Sequence, residues 1–414
     1  MPLSDDLAWR GLIKDKTFAD NTWLDEPRKF YLGIDASSDS LTIGNLAVVM
    51  LARRFSEAGW KTVLLAGGAT SLVGDPGGKV EERDLQSREQ IAKNIVAIKD
   101  QIEKLFAGQS YEMVNNLDWL GDLTYLNFLR NVGKHFSMTE LMQRDFVRER
   151  MGAEGSGISY AEFSYSLLQG YDFLWLFKNR GVELQIGASD QWGNMLSGVP
   201  LIRKKEDATV HALSMPLVVN KATGVKFGKS ETGAVWLDPN KTSPTQFYQF
   251  WINVDDADVE DYFKIFTLLS REEVEDRMQR HQSSPEERYA QSALAELVTT
   301  IVHGPEKSGV AGTVTNVLTG KTDVDQVGPA VIETIRREIP AVTVPQNANL
   351  IEVLVSTGLA TSNSDARRLL ASGAVYINGS PTDKENFDDN DFKNGRLLLR
   401  RGKAYKDSAL VELE

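Results

Sequence analysis

Three segments of the chain combine glycine with charged or hydroxyl side chains in patterns that suit phosphate binding. The first, residues 35–46, follows an apolar predicted strand and opens a predicted helix, and it contains Asp35, Ser37 and Gly44. A helix N-terminus offers unpaired N–H groups and a positive dipole end to an anion. A glycine there also lets a nucleotide approach the backbone closely. An ordinary loop with a capped helix is the alternative interpretation.

The second segment, residues 67–79, is predicted to be a loop that follows a strand. Six of its thirteen residues are glycine or proline, which suits a backbone that follows a ligand closely. It lacks the GxGxxG pattern, so the dinucleotide-binding fingerprint is absent. Lys79 and Arg83, four residues apart, could hold a chain of phosphates. A flexible surface loop without a ligand is the alternative.

The third segment, residues 224–230, resembles a P-loop but is too short. A Walker A loop has four residues between its first glycine and the Gly-Lys-Ser, whereas this segment has three. Lys226, Lys229 and Ser230 nevertheless suit the charge of a pyrophosphate group. A solvated turn is the alternative.

A stripe of polar side chains lies along a predicted helix at residues 161–176. Tyr165, Gln169 and Asp172 fall at positions i, i+4 and i+7 and therefore share one face. The stripe carries a phenol, an amide and a carboxylate, without the lysines and glutamates usual on a solvated face. We therefore favour a site for a small polar ligand, such as an amino acid, over simple amphipathicity. The run 185–194 places glycines beside a carboxylate and amides that could hold a ribose.

The hydrophobic pattern predicts an α/β scaffold that would bring these segments together. Strand, helix and strand patterns at 30–34, 43–58 and 62–66 indicate a β-α-β unit, and hence a parallel sheet with right-handed crossovers. In such a sheet, ligands bind at the carboxyl ends of the strands. The same reasoning predicts further helices at 87–107 and 161–176, and short strands at 183–186 and 217–219.

Beyond residue 238 the chain predicts two further domains. Helical patterns continue to about residue 337, and residues 339–349, with two prolines and no helical period, are predicted to be a linker. The tail predicts a helix at 350–356, a second helix capped by Ser362, a strand at 375–377 and a tight turn at Asn378-Gly379. We therefore predict an α/β domain at 1–238, an all-α domain at 239–338 and a small α+β domain at 346–414.

Composition excludes several classes of protein. A chain of 414 residues that is 42% hydrophobic and 25% charged is typical of a soluble globular protein with two or three domains. No cysteine is present and the four histidines are scattered, so disulfides, thiolate zinc and local histidine metal sites are not expected. No signal sequence or membrane-length apolar run is visible, which favours the cytoplasm. The net charge of −12 disfavours bulk binding of nucleic acid. Residues 346–414, with nine basic and ten acidic side chains, could still hold a local phosphate-binding patch.

Taken in order, these segments resemble the bacterial-type tyrosyl-tRNA synthetases, a class I family, over almost the full length of the chain. The last domain resembles the small ribosomal-protein-type RNA-binding module that ends these enzymes. The segments that carry the likeness are 31–35, 67–70 with 74–76, 163–165 with 171–173, 189–194, 226–230 and 247–253. Each segment is weak alone, but the ordered set is specific.

The resemblance implies a role for each matching residue. Tyr31 and Asp172 would bind the phenol of tyrosine, Asp75, Tyr165 and Gln169 its ammonium group, and Gln191 its carboxylate. ATP would be held by Asp35, Ser37, Gly44, Gly187, Asp190 and Lys229. The residues of the catalytic apparatus around the phosphates would be Thr42, Asn45, Lys79, Arg83, Lys226, Lys229 and Ser230. Contacts to tRNA phosphates would come from Arg367, Arg368, Arg400, Arg401 and Lys403.

The resemblance also implies the activity, the domain roles and the partners. The first domain would be a Rossmann-like catalytic domain ending in the lysine loop, the second an anticodon-binding domain, and the third an RNA-binding domain. The enzyme would convert L-tyrosine and ATP to tyrosyl-adenylate and then charge tyrosine tRNA. It would act as a homodimer, with Mg2+ as the counter-ion of ATP and with no metal site of its own. No editing domain is expected.

The chain departs from the family pattern at the nucleotide signature. His-Ile-Gly-His is usual, whereas this chain has Thr42-Ile43-Gly44-Asn45, and Leu32 replaces a common cysteine. Loss of one transition-state donor typically costs about 2.7 to 4 kcal/mol, which would slow activation without abolishing it. An active but altered enzyme is therefore favoured. The alternatives are a catalytically impaired relative that acts as an RNA-binding or splicing factor, and a different P-loop or Rossmann enzyme.

Overall fold

The computed structural model of the chain describes residues 1–74, 86–151, 157–221, 224, 227, 229–230, 233–402 and 407–414. The described residues form two compact units. The first contains Met1–Lys241 and Asp255–Ala290, and the second contains Thr242–Val254 and Gln291–Glu414. No helix among the described residues is long and apolar enough to cross a bilayer.

A mainly parallel sheet forms the centre of the first unit. In the described part of the chain it has six strands in the order β1-β6-β5-β2-β3-β4, and only the edge strand β1 runs antiparallel to its neighbour. Its strands are β1 (Asp15–Lys16), β2 (Lys29–Asp35), β3 (Lys61–Gly67), β4 (Tyr111–Asn115), β5 (Leu184–Ala188) and β6 (His211–Met215). A separate pair consists of β7 (Lys229–Ser230) and β8 (Gly233–Ala234). The predicted β-α-β unit and parallel sheet are confirmed.

Helices surround this sheet and supply most of its core. They are α1 (Leu3–Trp9), α2 (Ile43–Glu57), α3 (Thr70–Val73), α4 (Arg88–Leu105), α5 (Leu117–Leu120), α6 (Tyr125–Asn131), α7 (Met138–Met142), α8 (Asp145–Met151), α9 (Tyr160–Arg180), α10 (Trp192–Met195) and α11 (Gly198–Glu206). Two later helices also belong to the first unit. They are α13 (Asp256–Phe266) and α14 (Arg271–Ser283), and they follow α12 (Pro244–Ile252), which belongs to the second unit. Helix α9 begins at a capping box formed by Ser159 and Glu162 and ends at Gly181, whose φ of 67° provides the left-handed C-terminal turn.

The second unit contains a group of helices followed by a small mixed sheet. The helices are α12 (Pro244–Ile252), α15 (Tyr289–His303), α16 (Pro305–Leu318), α17 (Pro329–Glu338), α18 (Leu350–Ser356) and α19 (Asn363–Ala371). The strands are β9 (Ala341–Val344), β10 (Val375–Ile377), β11 (Ser380–Pro381), β12 (Arg396–Arg401) and β13 (Ser408–Leu413), in the order β11-β10-β12-β13-β9. The predicted helical stretch and α+β tail are confirmed, whereas the three domain boundaries stay a prediction.

Short 3-10 turns connect several of these elements. They lie at Asn21–Asp25, Gly133–His135, Ser189–Gln191, Pro285–Glu287, Val324–Gln326 and Asp389–Asp391. The predicted hairpin at Asn378-Gly379 is confirmed, because both residues have positive φ, as a type I′ turn requires. Ser362 caps α19 as predicted, but the Asp365 carboxylate bonds the backbone N–H of Thr361 rather than that of Ser362.

Two local predictions were wrong, and prolines lie at both places. Residues 339–349 are not a structureless linker, because β9 lies within them and pairs in parallel with β13 at the edge of the sheet. Prolines flank β9 without interrupting it, which an edge strand tolerates. No strand covers residues 217–219. The preceding strand, β6, ends at Met215, because Pro216 has no N–H to continue the ladder.

Candidate active site

The carboxyl ends of the central strands create a hollow lined by small residues. Tyr31, Gly33 and Asp35 lie at alternate positions on one face of β2, and Gly33 is exposed, with no atom of the described residues within 4 Å of where its Cβ would be. Asp35 pairs in register with Gly67 at the end of β3, where a Cβ would come within 2.6 Å of the Asp35 carboxylate. The two glycines therefore leave space above the sheet and keep the Asp35 carboxylate in place.

Asp172 of α9 is a fully buried carboxylate with two hydrogen-bond donors. Its oxygens accept a bond of 3.0 Å from the Asn116 side-chain amide and one of 2.8 Å from the Trp119 indole N–H. Burial is the main cause that raises the pKa of the Asp172 carboxyl to about 7. The negative charge of Asp35 adds to this rise, while the two donors oppose it. A carboxyl held in this way is a rigid hydrogen-bond acceptor that can change charge near neutral pH.

Tyr31 of β2 places a second polar group in the same buried region. The residue has no exposed surface, and its ring centroid lies 5.3 Å from that of Phe173, the neighbour of Asp172. Burial, and then the charge of Asp172, raise the pKa of the Tyr31 hydroxyl well above its ordinary value. This hydroxyl has no hydrogen-bond partner among the described residues. A buried hydroxyl without a hydrogen-bond partner costs about 1–3 kcal/mol. A ligand hydroxyl that bonds to Tyr31 would remove this cost.

A chain of hydrogen bonds connects the two carboxylates of the hollow. Asp35 accepts bonds from the hydroxyls of Tyr165 at 2.9 Å and Thr70 at 3.3 Å. Asn116 donates to the hydroxyl oxygen of Thr70 at 3.1 Å as well as to Asp172. Sequence reasoning assigned no role to Asn116 or to Trp119, the donors that hold Asp172. The available signal was the position of Asn116 directly after β4, at the carboxyl edge of the sheet.

The remaining predicted ligand residues lie on α9 and at the end of β5. Tyr165, Gln169 and Asp172 are all within α9, so the predicted helical stripe is confirmed as a structural feature. Gln169 is half-buried, and Gln191 accepts a bond of 3.1 Å from the side chain of Asn194. Among the ribose candidates, Asp190 is exposed, whereas Gly187 is buried and a Cβ there would come within 3.0 Å of the Met195 sulfur.

The predicted nucleotide loop ends at Thr42, which precedes α2. The backbone N–H and the hydroxyl of Thr42 both donate to the side-chain oxygen of Asn45, each at 2.9 Å. Because the side-chain oxygen of Asn45 already accepts these two bonds, Asn45 would contact a ligand through its side-chain N–H groups. Among the described residues, a Cβ on Gly44 would meet only the Thr42 hydroxyl, at an ordinary 3.6 Å, so their packing does not require glycine there. Ser37 is exposed, and its carbonyl accepts a bond of 2.9 Å from Gln86.

The chain that follows the predicted lysine loop is bonded to this nucleotide loop. The Ile43 N–H donates to the Val235 carbonyl at 3.1 Å, and the Leu237 N–H donates to the Leu41 carbonyl at 2.9 Å. Lys229 and Ser230 form β7, which pairs with β8 just before this junction. Asp75, Lys79, Arg83 and Lys226 lie outside the described residues. No group of three or more histidine, aspartate or glutamate side chains in the described ranges could hold a metal.

The basic residues predicted to contact tRNA differ in the bonds that they form within the second unit. Arg401 donates to Asp407 and to the Leu359 carbonyl, each at 2.9 Å. Arg400 instead lies over the ring of Tyr376, 5.2 Å from its centroid, and its buried Nε has no partner among the described residues. Arg368, which pairs with the Asp365 carboxylate, and Arg367 are both exposed, and Lys403 lies outside the described residues.

Two family models match the chain. Residues 24–319 match "tRNA synthetases class I (W and Y)", and residues 331–406 match "Tyrosine--tRNA ligase SYY-like C-terminal domain". The first match covers more than half of the chain, and the second covers most of the small domain after the helices.

Similar proteins agree with these matches. A tyrosine--tRNA ligase of Geobacillus kaustophilus is 45% identical over 388 residues, covering 92% of this chain and 91% of that protein. One from Streptomyces griseus is 44% identical over 419 residues, covering 99% and 98%. The crystal structure of a C-terminally truncated mitochondrial tyrosyl-tRNA synthetase of Aspergillus nidulans superposes with a TM-score of 0.68 at 29% identity, covering 76% of this chain and 93% of that one. The chain therefore belongs to the class I tRNA synthetases of the tryptophan and tyrosine family, among the tyrosyl-tRNA synthetases of the bacterial type.

Proposed function

We propose that this chain activates L-tyrosine with ATP and transfers the tyrosyl group to the 3′ end of tyrosine tRNA, releasing pyrophosphate and then AMP. The observation that carries the proposal is the buried pair of Tyr31 and Asp172. Here a hydroxyl without a partner among the described residues lies beside a rigid carboxylate. A phenolic hydroxyl can donate to Asp172 and accept from Tyr31, which satisfies both groups. Phenylalanine would leave the Tyr31 hydroxyl without a partner among the described residues, at a cost of about 1–3 kcal/mol, and would not replace the water that an ionised Asp172 loses on burial.

Tyr165 suits recognition of the substrate ammonium group. Its hydroxyl donates to Asp35 in a bond of 2.9 Å, and a phenol oxygen can also accept a hydrogen bond, as an ammonium group requires. We place Gln169 and Asp75 around the same group and Gln191 at the substrate carboxylate. These roles follow from the family pattern and from the position of Tyr165, Gln169 and Asp172 along α9.

Activation requires position and charge more than proton transfer. The substrate carboxylate, ionised at pH 7, attacks the α-phosphorus of ATP, and the bond from that phosphorus to the bridging oxygen of pyrophosphate breaks. The N-terminus of α2, with Gly44, would receive the nucleotide, and Asp35, Ser37, Gly187 and Asp190 would complete its site. Thr42, Asn45, Lys79, Arg83, Lys226, Lys229 and Ser230 would surround the phosphates. ATP would carry Mg2+ as its counter-ion, which would offset part of the phosphate charge.

In the second step a ribose hydroxyl of the tRNA attacks the carbonyl of the tyrosyl-adenylate and AMP leaves. The tRNA would contact the small C-terminal domain, which matches the C-terminal domain model of tyrosine--tRNA ligases. Arg367, Arg368, Arg400 and Lys403 would then face its phosphates, whereas Arg401, which donates to Asp407 and the Leu359 carbonyl, would mainly stabilise this domain. Such contacts fix position without reading sequence.

We also propose that the enzyme is a cytoplasmic homodimer. Large apolar side chains are exposed together on and around α6, α7 and the start of α9, and they are Tyr125, Leu126, Leu129, Met138, Met142, Met151 and Tyr160. Leu126 is 76% exposed, and a cavity of about 410 Å³ lined by Tyr125, Tyr160 and Leu168 lies beside it. Exposed apolar area of this kind is typical of a subunit interface. Sedimentation of Leu126→Glu should therefore give a monomer, and an unchanged dimer would exclude this surface.

The exchange of pyrophosphate into ATP tests the activity directly. We expect the purified protein to catalyse exchange with tyrosine and with none of the other nineteen amino acids, and to charge tyrosine tRNA. Absence of exchange, together with retained RNA binding, would support the catalytically impaired RNA-binding alternative. Exchange that depends on a different amino acid would overturn the assignment of the phenol pair.

A further inference from the structure

Helix α13 lies under the start of the lysine loop and bonds it at several points. The backbone N–H of Lys221 donates to the Asp258 carboxylate at 3.2 Å, and its ammonium group lies 2.8 Å from Asp261. One residue earlier, the Asn220 amide donates to Asp255 at 3.0 Å. These bonds hold residues 220–221, which precede the predicted lysine loop at 224–230, against α13.

The same helix receives an aromatic side chain from within the loop. The ring centroid of Phe227 lies 4.3 Å from that of Tyr262 and 5.8 Å from that of Phe266. Tyr262 and Phe266 are buried, and the Phe227 N–H donates to the Val218 carbonyl at 2.9 Å. Phe227 is the residue between Lys226 and Gly228 in the sequence, so α13 contacts the predicted phosphate-binding segment at this residue.

Two buried arginines hold the other end of α13 against the body of the first unit. Arg54, near the end of α2, donates to the Lys264 carbonyl at 2.8 Å and also to the Thr267 carbonyl. Arg10, which follows α1, donates to the Lys264 carbonyl at 3.0 Å and to the Leu269 carbonyl at 2.6 Å. Because α2 begins at the nucleotide loop, α13 is held in a set position relative to that loop.

We propose that α13 is a seat for the lysine loop, in which Asp258, Tyr262 and Phe266 are positioning residues for ATP activation through Lys221 and Phe227. The inference rests on the proposed function. None of these residues needs to touch substrate. They hold Lys221 and Phe227 in place before ATP arrives, which lowers the ordering cost of binding and of the transition state. The seat is far in sequence from the phenol pair and should leave tyrosine recognition unchanged.

The experiment compares three variants of the full chain at the aromatic contact. Phe227→Ala empties the seat, Phe227→Leu keeps an apolar side chain in it, and Val219→Ala removes an exposed apolar side chain from the same stretch as a control. In tyrosine-dependent pyrophosphate exchange, Phe227→Ala should lower kcat/KM for ATP about tenfold, with the dissociation constant for tyrosine unchanged. Phe227→Leu should recover most of this loss, and Val219→Ala should match the wild type.

Asp258→Asn tests the polar half of the seat, because the amide keeps the shape of the carboxylate but loses its charge. We expect a similar selective loss for ATP, whereas Asp276→Asn, an exposed carboxylate on α14, should have no effect. Equal losses for ATP and tyrosine in the Phe227 and Asp258 variants, or ATP constants within twofold of the wild type, would overturn the seat.

Limited trypsin digestion separates failure of the seat from failure of the proposed function. Loss of the ring should loosen the segment that α13 holds, so Phe227→Ala should be cut after Lys221 about tenfold faster than the wild type and than Val219→Ala. This readout needs no catalytic activity. Equal cutting rates in all variants would overturn the seat even in an active enzyme.

Discussion

The indole nitrogen of Trp119 donates a hydrogen bond of 2.8 Å to the carboxylate of Asp172, and both side chains are buried. Trp119 lies at the end of the short helix α5, 53 residues before Asp172. The bond fixes the carboxylate from a direction that α9 itself cannot supply. It therefore connects the proposed phenol site to the segment that follows β4.

Trp119→Phe should weaken tyrosine binding by about 10- to 100-fold, because a hydrogen bond to a charged group contributes about 1.5–3 kcal/mol. Binding of ATP should not change. Trp175→Phe is the matched control, since its ring stacks on Trp119 with a centroid distance of 4.1 Å. Equilibrium dialysis would measure the dissociation constants of tyrosine and ATP without using protein fluorescence, which the loss of a tryptophan would change. A larger loss in Trp175→Phe than in Trp119→Phe would attribute the effect to packing instead.

Tyrosine affinity should depend on pH with a midpoint near the Asp172 pKa of about 7 in the ligand-free protein. Burial raises this pKa, so the carboxyl is protonated below the midpoint and is then a weaker acceptor for the phenol. Affinity should fall by up to about tenfold for each pH unit below 7. The amino and carboxyl groups of tyrosine do not titrate between pH 6 and 8. A flat profile in the wild type over that range would contradict the assignment.

Thr42→His should leave the activation rate unchanged or raise it. The backbone of Thr42 forms a bridge with that of Trp236, so its position does not depend on the side chain. The substitution removes the hydroxyl bond to Asn45, which costs about 0.5–2 kcal/mol of stability as for other caps. Rapid-quench measurement of adenylate formation would report the rate, with Thr42→Ala as the variant that adds no donor. A collapse of the rate in Thr42→His would mean that the loop is built around threonine.

Arg400 and Arg401 should behave differently although they are adjacent. Arg401→Gln removes bonds to Asp407 and the Leu359 carbonyl, so it should mainly lower the melting temperature of the second unit. Arg400→Gln should weaken tRNA binding and reduce the slope of log affinity against log salt by about one. Filter binding at several salt concentrations tests both. The opposite pattern would show that Arg400 is structural and Arg401 contacts RNA.

The sequence allowed prediction of features that depend on local periodicity. The stripe of Tyr165, Gln169 and Asp172 follows from helical spacing alone, and α9 contains it as predicted. The turn at Asn378-Gly379 follows from residues that tolerate positive φ. Both features are set by neighbours in the chain, so one sequence was sufficient.

Features set by distant partners were missed. Trp119 and Asn116 acquire their role only because β4 places them against α9, and neither belongs to a recognisable local pattern. In the same way, β9 is a strand because β13, almost 70 residues later, pairs with it. Two prolines within residues 339–349 favour a linker in the sequence, and they outweigh the short run of valine and threonine at 341–344.

The central claim is that Asp172, beside Tyr31, recognises the phenol of tyrosine and does not take part in nucleotide binding. Asp172→Asn tests it most directly, by measuring the dissociation constants of tyrosine and of a non-hydrolysable ATP analogue separately. We expect tyrosine binding to weaken by about 100-fold, as for loss of a buried charged hydrogen bond, with binding of the analogue within twofold of the wild type. Equal weakening of both ligands, or unchanged tyrosine binding, would contradict the account.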